Sequence, residues 1–128
     1  MRFLLDTHLL LWAAGPLARL SSQARQLIED PDNELLFSAA SLWEVAIKSA
    51  LKRPNFRVDA PLFRRNLLIN GYRELAVTGE HAVAVAALPP LPRDPFDRIL
   101  VAQSVVEGIT LLTSDPLVAQ YPGPVRRV

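Results

Sequence analysis

The sequence predicts a three-layer α/β/α sandwich with a central, mainly parallel sheet, held in one domain. Three observations carry this. Short apolar runs alternate along the whole chain with longer segments that bear helix caps, the order expected when strands are joined by right-handed helical crossovers. Half of the residues are hydrophobic and 21% are charged, enough apolar material for a core and too much for a disordered chain. At 128 residues the chain matches one domain of about 100 to 150 residues, with no room for a second core.

The elements follow in order. Arg2 to Leu5 is an apolar run that reads as a buried strand ending at Asp6. Residues 8 to 14 turn into a helix stopped by Gly15-Pro16, and Ser21 and Ser22 cap another that runs to about Asp30. Asp30-Pro31-Asp32-Asn33 is a turn, after which Glu34 to Ser38 is the second strand. Ser41 is expected to open the next helix and Pro54 to close it. Asp59 starts a further helix ended by Asn70-Gly71, Glu74 to Val77 is a brief strand, and Thr78 caps a helix that stops before Pro89-Pro90. The proline-rich LPPLPRDP stretch is a loop. Asp94 followed by Pro95 marks an N-cap and first helical position, and that helix runs to Glu107 before Gly108. Ile109 to Thr113 is a strand, Asp115-Pro116 begins a short helix, and Val125 to Val128 is an edge strand.

There is no cysteine, so any metal must be held by oxygen or histidine, and the composition suits a reducing cytoplasm. The opening MRFLLDTHLLLWAAG is interrupted by Asp6 and His8 and falls well short of the ~20 apolar residues of a membrane span, so neither an anchor nor a signal peptide is expected. Net charge is only +1, yet Lys48, Lys52, Arg53, Arg57, Arg64, Arg65 and Arg73 supply half of the fourteen basic residues, opposed between 48 and 73 by Asp59 alone. Such a segment is either a phosphate-binding face or an ordinary solvated one.

The chemistry lies in four acids. In open parallel sheets, ligands bind beyond the carboxyl ends of the strands, near the point where strand order reverses. Asp6 and Asp115 follow predicted strands, while Glu44 and Asp97 fall in the first turns of helices that leave the same edge, so one rim can collect all four. Four carboxylates that close repel one another unless a cation neutralises them, and an oxygen-only donor set favours a hard ion such as Mg²⁺ or Mn²⁺. Each acid also has a plainer reading. Ser41-Leu42-Trp43-Glu44 has the form of a capping box, Asp94 and Asp115 precede prolines as caps do, and Asp97 suits the dipole of a first helical turn. Asp6 is harder to explain that way, because a charge at the end of an apolar strand is costly to desolvate without a partner. His8 and His81 are left out of the site as isolated histidines.

The segments LLDTHLLLWAA, SAASLWEVAIK and RDPFDRILVAQSVVEGITLLTSD, with their spacing, resemble PIN-domain proteins of the VapC toxin type over nearly the whole chain. The resemblance implies a PIN-like fold and an endoribonuclease that uses Mg²⁺ or Mn²⁺, cuts RNA and is restrained by a small cognate antitoxin. It assigns the metal-binding and catalytic acids to Asp6, Glu44, Asp97 and Asp115, with Asp94 as an outer-shell ligand or a cap. It further places the hydroxyls of Thr7 and Thr113 beside the first and last acids, as substrate-binding candidates with Arg98, and PIN domains are commonly homodimers. Arg98 either reaches a substrate phosphate or pairs with Asp94 four positions earlier, the pairing being slightly favoured. The departures are Pro116 after the fourth acid and the short closing GPVRRV, which bear on the fourth ligand.

The expected activity is hydrolysis of RNA phosphodiester bonds with water as nucleophile. Two rivals remain at this point: a catalytically inactive PIN-fold module that binds RNA or protein, and a phospho-acceptor receiver domain. The second lacks paired acids after the first strand and has no lysine beyond Lys52.

Overall fold

A computed structural model describes residues 1–51, 57–91 and 94–128. Five strands form one sheet: β1 (Arg2–Leu5), β2 (Glu34–Ser38), β3 (Arg73–Leu75), β4 (Thr110–Thr113) and β5 (Val125–Arg127). Their order is β3-β2-β1-β4-β5, and every pairing is parallel. Leu4 lies between Leu36 and Leu111, which fixes the register across the middle of the sheet. Strand order reverses between β1 and β4, and the pairing continues one residue past the end of β1, where the Asp6 N–H donates to Leu112 O at 3.0 Å.

The side chains of these strands alternate between two cores, as a two-residue period demands. Phe3, Leu5, Phe37 and Leu112 point to one face, where they pack with Leu9 and Leu10 of α1 (Thr7–Ala14), Ala24 of α2 (Ser22–Glu29), Val45 of α3 (Ala39–Ala50) and Phe63 and Leu67 of α4 (Ala60–Ile69). Leu4, Leu36 and Leu111 point to the other, against Leu100 and Val101 of α6 (Pro95–Glu107), with Val118 and Tyr121. A short α5 (Gly79–Ala84) packs beside α6. Both faces of the sheet are therefore covered, the arrangement that permits continuous apolar strands, and the expected three layers are found.

Most expected elements stand at or near their predicted places, and the exceptions have local causes. The helix expected to open at Ser41 begins at Ala39, because Ser38 ends its strand and at once serves as N-cap, its hydroxyl accepting from Ala40 N at 3.0 Å. The strand expected at 74–77 is Arg73–Leu75, and the helix expected after Asp115 is only a 3-10 turn at Val118–Gln120. Gly108 closes α6 in the left-handed region at φ +66°, where its missing Cβ removes the usual penalty. Pro54, Lys52 and Arg53, and Pro92-Arg93 of the proline-rich loop, lie outside the described residues. No helix among the described residues is long and apolar enough to cross a membrane.

Candidate active site at the carboxyl edge of the sheet

Asp6 leaves the end of β1 at the point where strand order reverses, and it is only 4% exposed. Its carboxylate has two fixed donors. Oδ1 caps α1 by accepting from Leu9 N at 2.9 Å, and Oδ2 accepts from the Thr113 hydroxyl at 2.5 Å. The same Thr113 oxygen accepts from the backbone N–H of Asp115 at 3.0 Å, so β4 hands one hydrogen-bonded chain from Asp115 through Thr113 to Asp6. Burial pushes the Asp6 carboxyl above its ordinary range, against the opposing pull of Thr113, the Leu9 amide, the His8 charge and the Ser114 amide.

Glu44 comes from α3, which leaves the neighbouring strand β2, and it too is 4% exposed. The early start of α3 moves it from the first turn to the second, so the Ser41–Glu44 capping box does not form. Instead the Thr7 hydroxyl donates to Glu44 Oε1 at 2.7 Å and shares a 2.9 Å hydrogen bond with the hydroxyl of Ser41. Glu44 Oε2 meets Lys48 Nζ at 2.5 Å. Because Thr7 directly follows Asp6, its hydroxyl bond to Glu44 brings the first two acids to one place.

Asp97 stands in the first turn of α6, behind the N-cap Asp94, whose Oδ1 accepts from Phe96 N at 2.9 Å. Asp97 reports on the whole rim. Its carboxyl is pushed up to about 7, first by burial and then by the charges of Asp94, Glu44, Asp6 and Asp115 in that order. Five carboxylates thus share one electrostatic neighbourhood, with Asp97 at its focus. Asp115 is the least committed to the centre: its Oδ1 accepts from Leu117 N at 2.8 Å, a local turn that Pro116 favours. Among the described residues no three His, Cys, Asp or Glu side chains form a ready-made metal cage.

Arg98 corrects an expectation. It makes no ion pair with Asp94 among the described residues; its guanidinium turns back beneath the rim, donating to Pro89 O at 2.8 Å, Tyr121 OH at 3.0 Å and Val85 O at 3.2 Å. Two cations of the basic segment are likewise engaged, Arg64 with Glu74 at 2.7 Å and Arg73 with Glu34 at 2.6 Å, both acids from outside the stretch. His81 is buried, with Nδ1 accepting from Thr78 N at 3.0 Å and Nε2 2.8 Å from Glu107. Glu107 lies ten residues after Asp97, about 15 Å along α6, so His81 belongs to a different part of the fold. His8 is exposed and packs near Trp12.

Sequence reasoning missed two neighbours of Glu44. Ser41 has the form of a cap and Lys48 that of one charge in a run, and the signal for Lys48 is its spacing of four from Glu44. Beside the rim lies an apolar groove of about 510 Å³ lined by Ala40, Trp43, Val77, Val85, Phe96 and Ile99 among others. Trp43 and Phe96 meet there edge to face at 5.2 Å, each adjacent in sequence to a rim acid.

Comparison with known proteins identifies the family of the chain. A model of the PIN domain matches residues 3–123. Ribonuclease VapC22 of Mycobacterium tuberculosis is 32% identical over 125 residues, which cover 95% of each chain. Among solved structures, VapBC2 from Rickettsia felis, bound to a DNA fragment from its promoter, matches with a TM-score of 0.71 at 13% identity, over 99% of this chain and 98% of that one. A toxin-antitoxin complex from Klebsiella pneumoniae matches with a TM-score of 0.62 at 19% identity, over 98% of both chains. The family model over most of the chain and the Mycobacterium tuberculosis relative settle the family: the chain belongs to the PIN-domain family, in its VapC ribonuclease branch.

Proposed function

We propose that this protein is an endoribonuclease that hydrolyses RNA phosphodiester bonds with a divalent ion, Mg²⁺ or Mn²⁺, and is the toxin of a VapBC-type pair. Its partners are then an RNA substrate and a small cognate antitoxin, with a homodimer as the working assembly. The observation that carries the reading is the gathering of acids at this edge: the Thr7 hydroxyl ties Glu44 beside Asp6, and Asp97 is pushed up to about 7 first by burial and then by the charges of Asp94, Glu44, Asp6 and Asp115. Crowding of that kind is relieved by a cation, and the donor set, all carboxylate oxygen, fits a hard ion that keeps part of its water shell.

Asp6, Glu44 and Asp97 are the residues that would hold the ion, with Asp115 assisting directly or through water and Asp94 outside them. When bound, such an ion lowers the pKa of a water, orients it and offsets charge growing on the phosphate. The chain's own part is positioning. Thr113 and the Leu9 amide hold the two Asp6 oxygens in fixed directions, and Thr7 does the same for Glu44 Oε1. Hydroxyls so placed keep the carboxylates aimed without adding charge. No nucleophilic side chain is required. Arg98, braced beneath the rim, keeps the start of α6 and hence Asp97 in place.

The test is cleavage of a labelled RNA panel in Mg²⁺ or Mn²⁺ by the parent chain, Asp6→Asn and Asp97→Asn. Both variants should fall to the metal-free background while keeping the parent's circular dichroism spectrum. Cleavage retained by either pure variant would discard the site.

A further inference from the structure

Among the described residues, Glu44 is the rim acid that pairs with a lysine or arginine. Lys48 Nζ lies 2.5 Å from Glu44 Oε2, one turn along α3, and among the described residues no other Lys or Arg comes within 4.0 Å of Asp6, Glu44, Asp94, Asp97 or Asp115. The pair is unequal in burial. The Glu44 side chain is 5% exposed and that of Lys48 26%, so the carboxylate is fixed inside while the ammonium keeps access to water. A buried carboxylate without a compensating charge is strongly unfavourable, and Lys48 supplies that charge to the protein before any ion arrives.

Both Glu44 oxygens are thereby committed, Oε1 to the Thr7 hydroxyl and Oε2 to Lys48. An ion drawn to Asp97 and Asp6 must compete with the ammonium for Oε2. RNA meets the opposite difficulty, because five carboxylates repel its phosphates. A compact ammonium on a four-carbon stem suits both situations, since it can leave one anion for another nearby without moving the backbone.

Resting on the nuclease reading above, we propose that Lys48 is a positioning residue with two alternating anions: it neutralises Glu44 while the rim is empty of metal, and turns to a substrate phosphate once the ion takes Glu44. Two consequences follow. Lys48 opposes metal binding in the absence of RNA, and it favours RNA binding in the presence of metal.

The experiment compares the full chain with Lys48→Met and Lys48→Arg. Calorimetric titration with Mn²⁺ alone should show roughly 10-fold tighter binding by Lys48→Met, as expected for removing one competing charge from a half-buried site, and binding within about 2-fold of the parent by Lys48→Arg. Fluorescence anisotropy of a short RNA, with Ca²⁺ in place of Mg²⁺, should show roughly 10-fold weaker binding by Lys48→Met alone. In a Glu44→Gln background, Lys48→Met should leave Mn²⁺ affinity unchanged. If Lys48→Met does not fold, Lys48→Gln, which keeps a hydrogen bond to Glu44 without charge, carries the same comparison. Unchanged or weaker Mn²⁺ binding by the uncharged variant overturns the role of Lys48, as does unchanged RNA affinity. Absence of Mn²⁺ binding by the parent chain overturns the metal site itself, so the two failures are distinguishable.

Discussion

Asp97 is where the rim's electrostatics become measurable. Its carboxyl rises from 3.8 to about 7 through burial and the four neighbouring acids, and Asp6 shifts in the same direction. The folded chain therefore holds a proton that the unfolded chain has released throughout the interval from about 4 to about 7. Stability falls as pH rises through that window: the contribution is whole below about 4 and lost above about 7. Metal-free protein should melt at progressively lower temperature from pH 5 to pH 8, Asp97→Asn should remove most of that slope, and Mn²⁺ should restore the melting temperature most strongly at pH 8, where the ligand is deprotonated. A melting temperature that climbs over this range, or an Asp97→Asn slope equal to the parent's, would refute the assignment. At this scale the sequence was informative about Asp6, since a carboxylate closing an apolar strand has few reasons to exist. It was uninformative about Arg98, whose acceptors are carbonyls of Val85 and Pro89 that no side-chain pattern marks.

Elements were legible where a chemical signal ends them. Asp94-Pro95 and Gly108 bracket α6, Asp6 closes the strand Arg2–Leu5, and the turn at 30–33 opens the strand Glu34–Ser38, all at the predicted places. The start of α3 was not, because Ser38 and Ser41 are both competent caps and a hydrophobic period cannot show that a strand passes into a helix with no loop between. That choice matters to the site: starting at Ala39 turns Glu44 inward to Thr7 and spends Ser41 on the Thr7 hydroxyl. Ser38→Ala should therefore destabilise the fold by about 1 kcal/mol through loss of the cap, lowering the melting temperature by about 4 °C for a chain of this size. Ser41→Ala, which removes no cap, should lose less. Equal losses in thermal melts would return the cap to Ser41. The meeting of Glu44 with Asp6 was likewise hidden, since it depends on β2 lying directly beside β1, a pairing that spacing along one chain does not contain.

For the whole molecule, charge is nearly balanced in total and separated in space. Against fourteen Lys and Arg the chain carries thirteen acids, of which Asp6, Glu44, Asp94, Asp97 and Asp115 share the edge where strand order reverses with Lys48; the other eight acids and thirteen basic residues leave the remainder of the chain at a formal +5. A polyanion approaching such a molecule is attracted by the net positive charge of the remainder and repelled by the acids of this edge. Association driven by the basic surface is sequence-independent and weakens with salt through counterion release, and it does not deliver a phosphate to the rim. A divalent ion reverses the local sign without altering the rest, so RNA affinity and metal occupancy must be linked, each strengthening the other by the same factor. Anisotropy titrations of a short RNA at 150 mM salt should show binding at least about 10-fold tighter in Ca²⁺ than in EDTA, equivalent to about 1.4 kcal/mol of coupling. The gain should vanish in Asp97→Asn, which leaves the basic surface intact. Superimposable curves in Ca²⁺ and EDTA would mean that RNA is held by the basic surface alone and never reaches the acids.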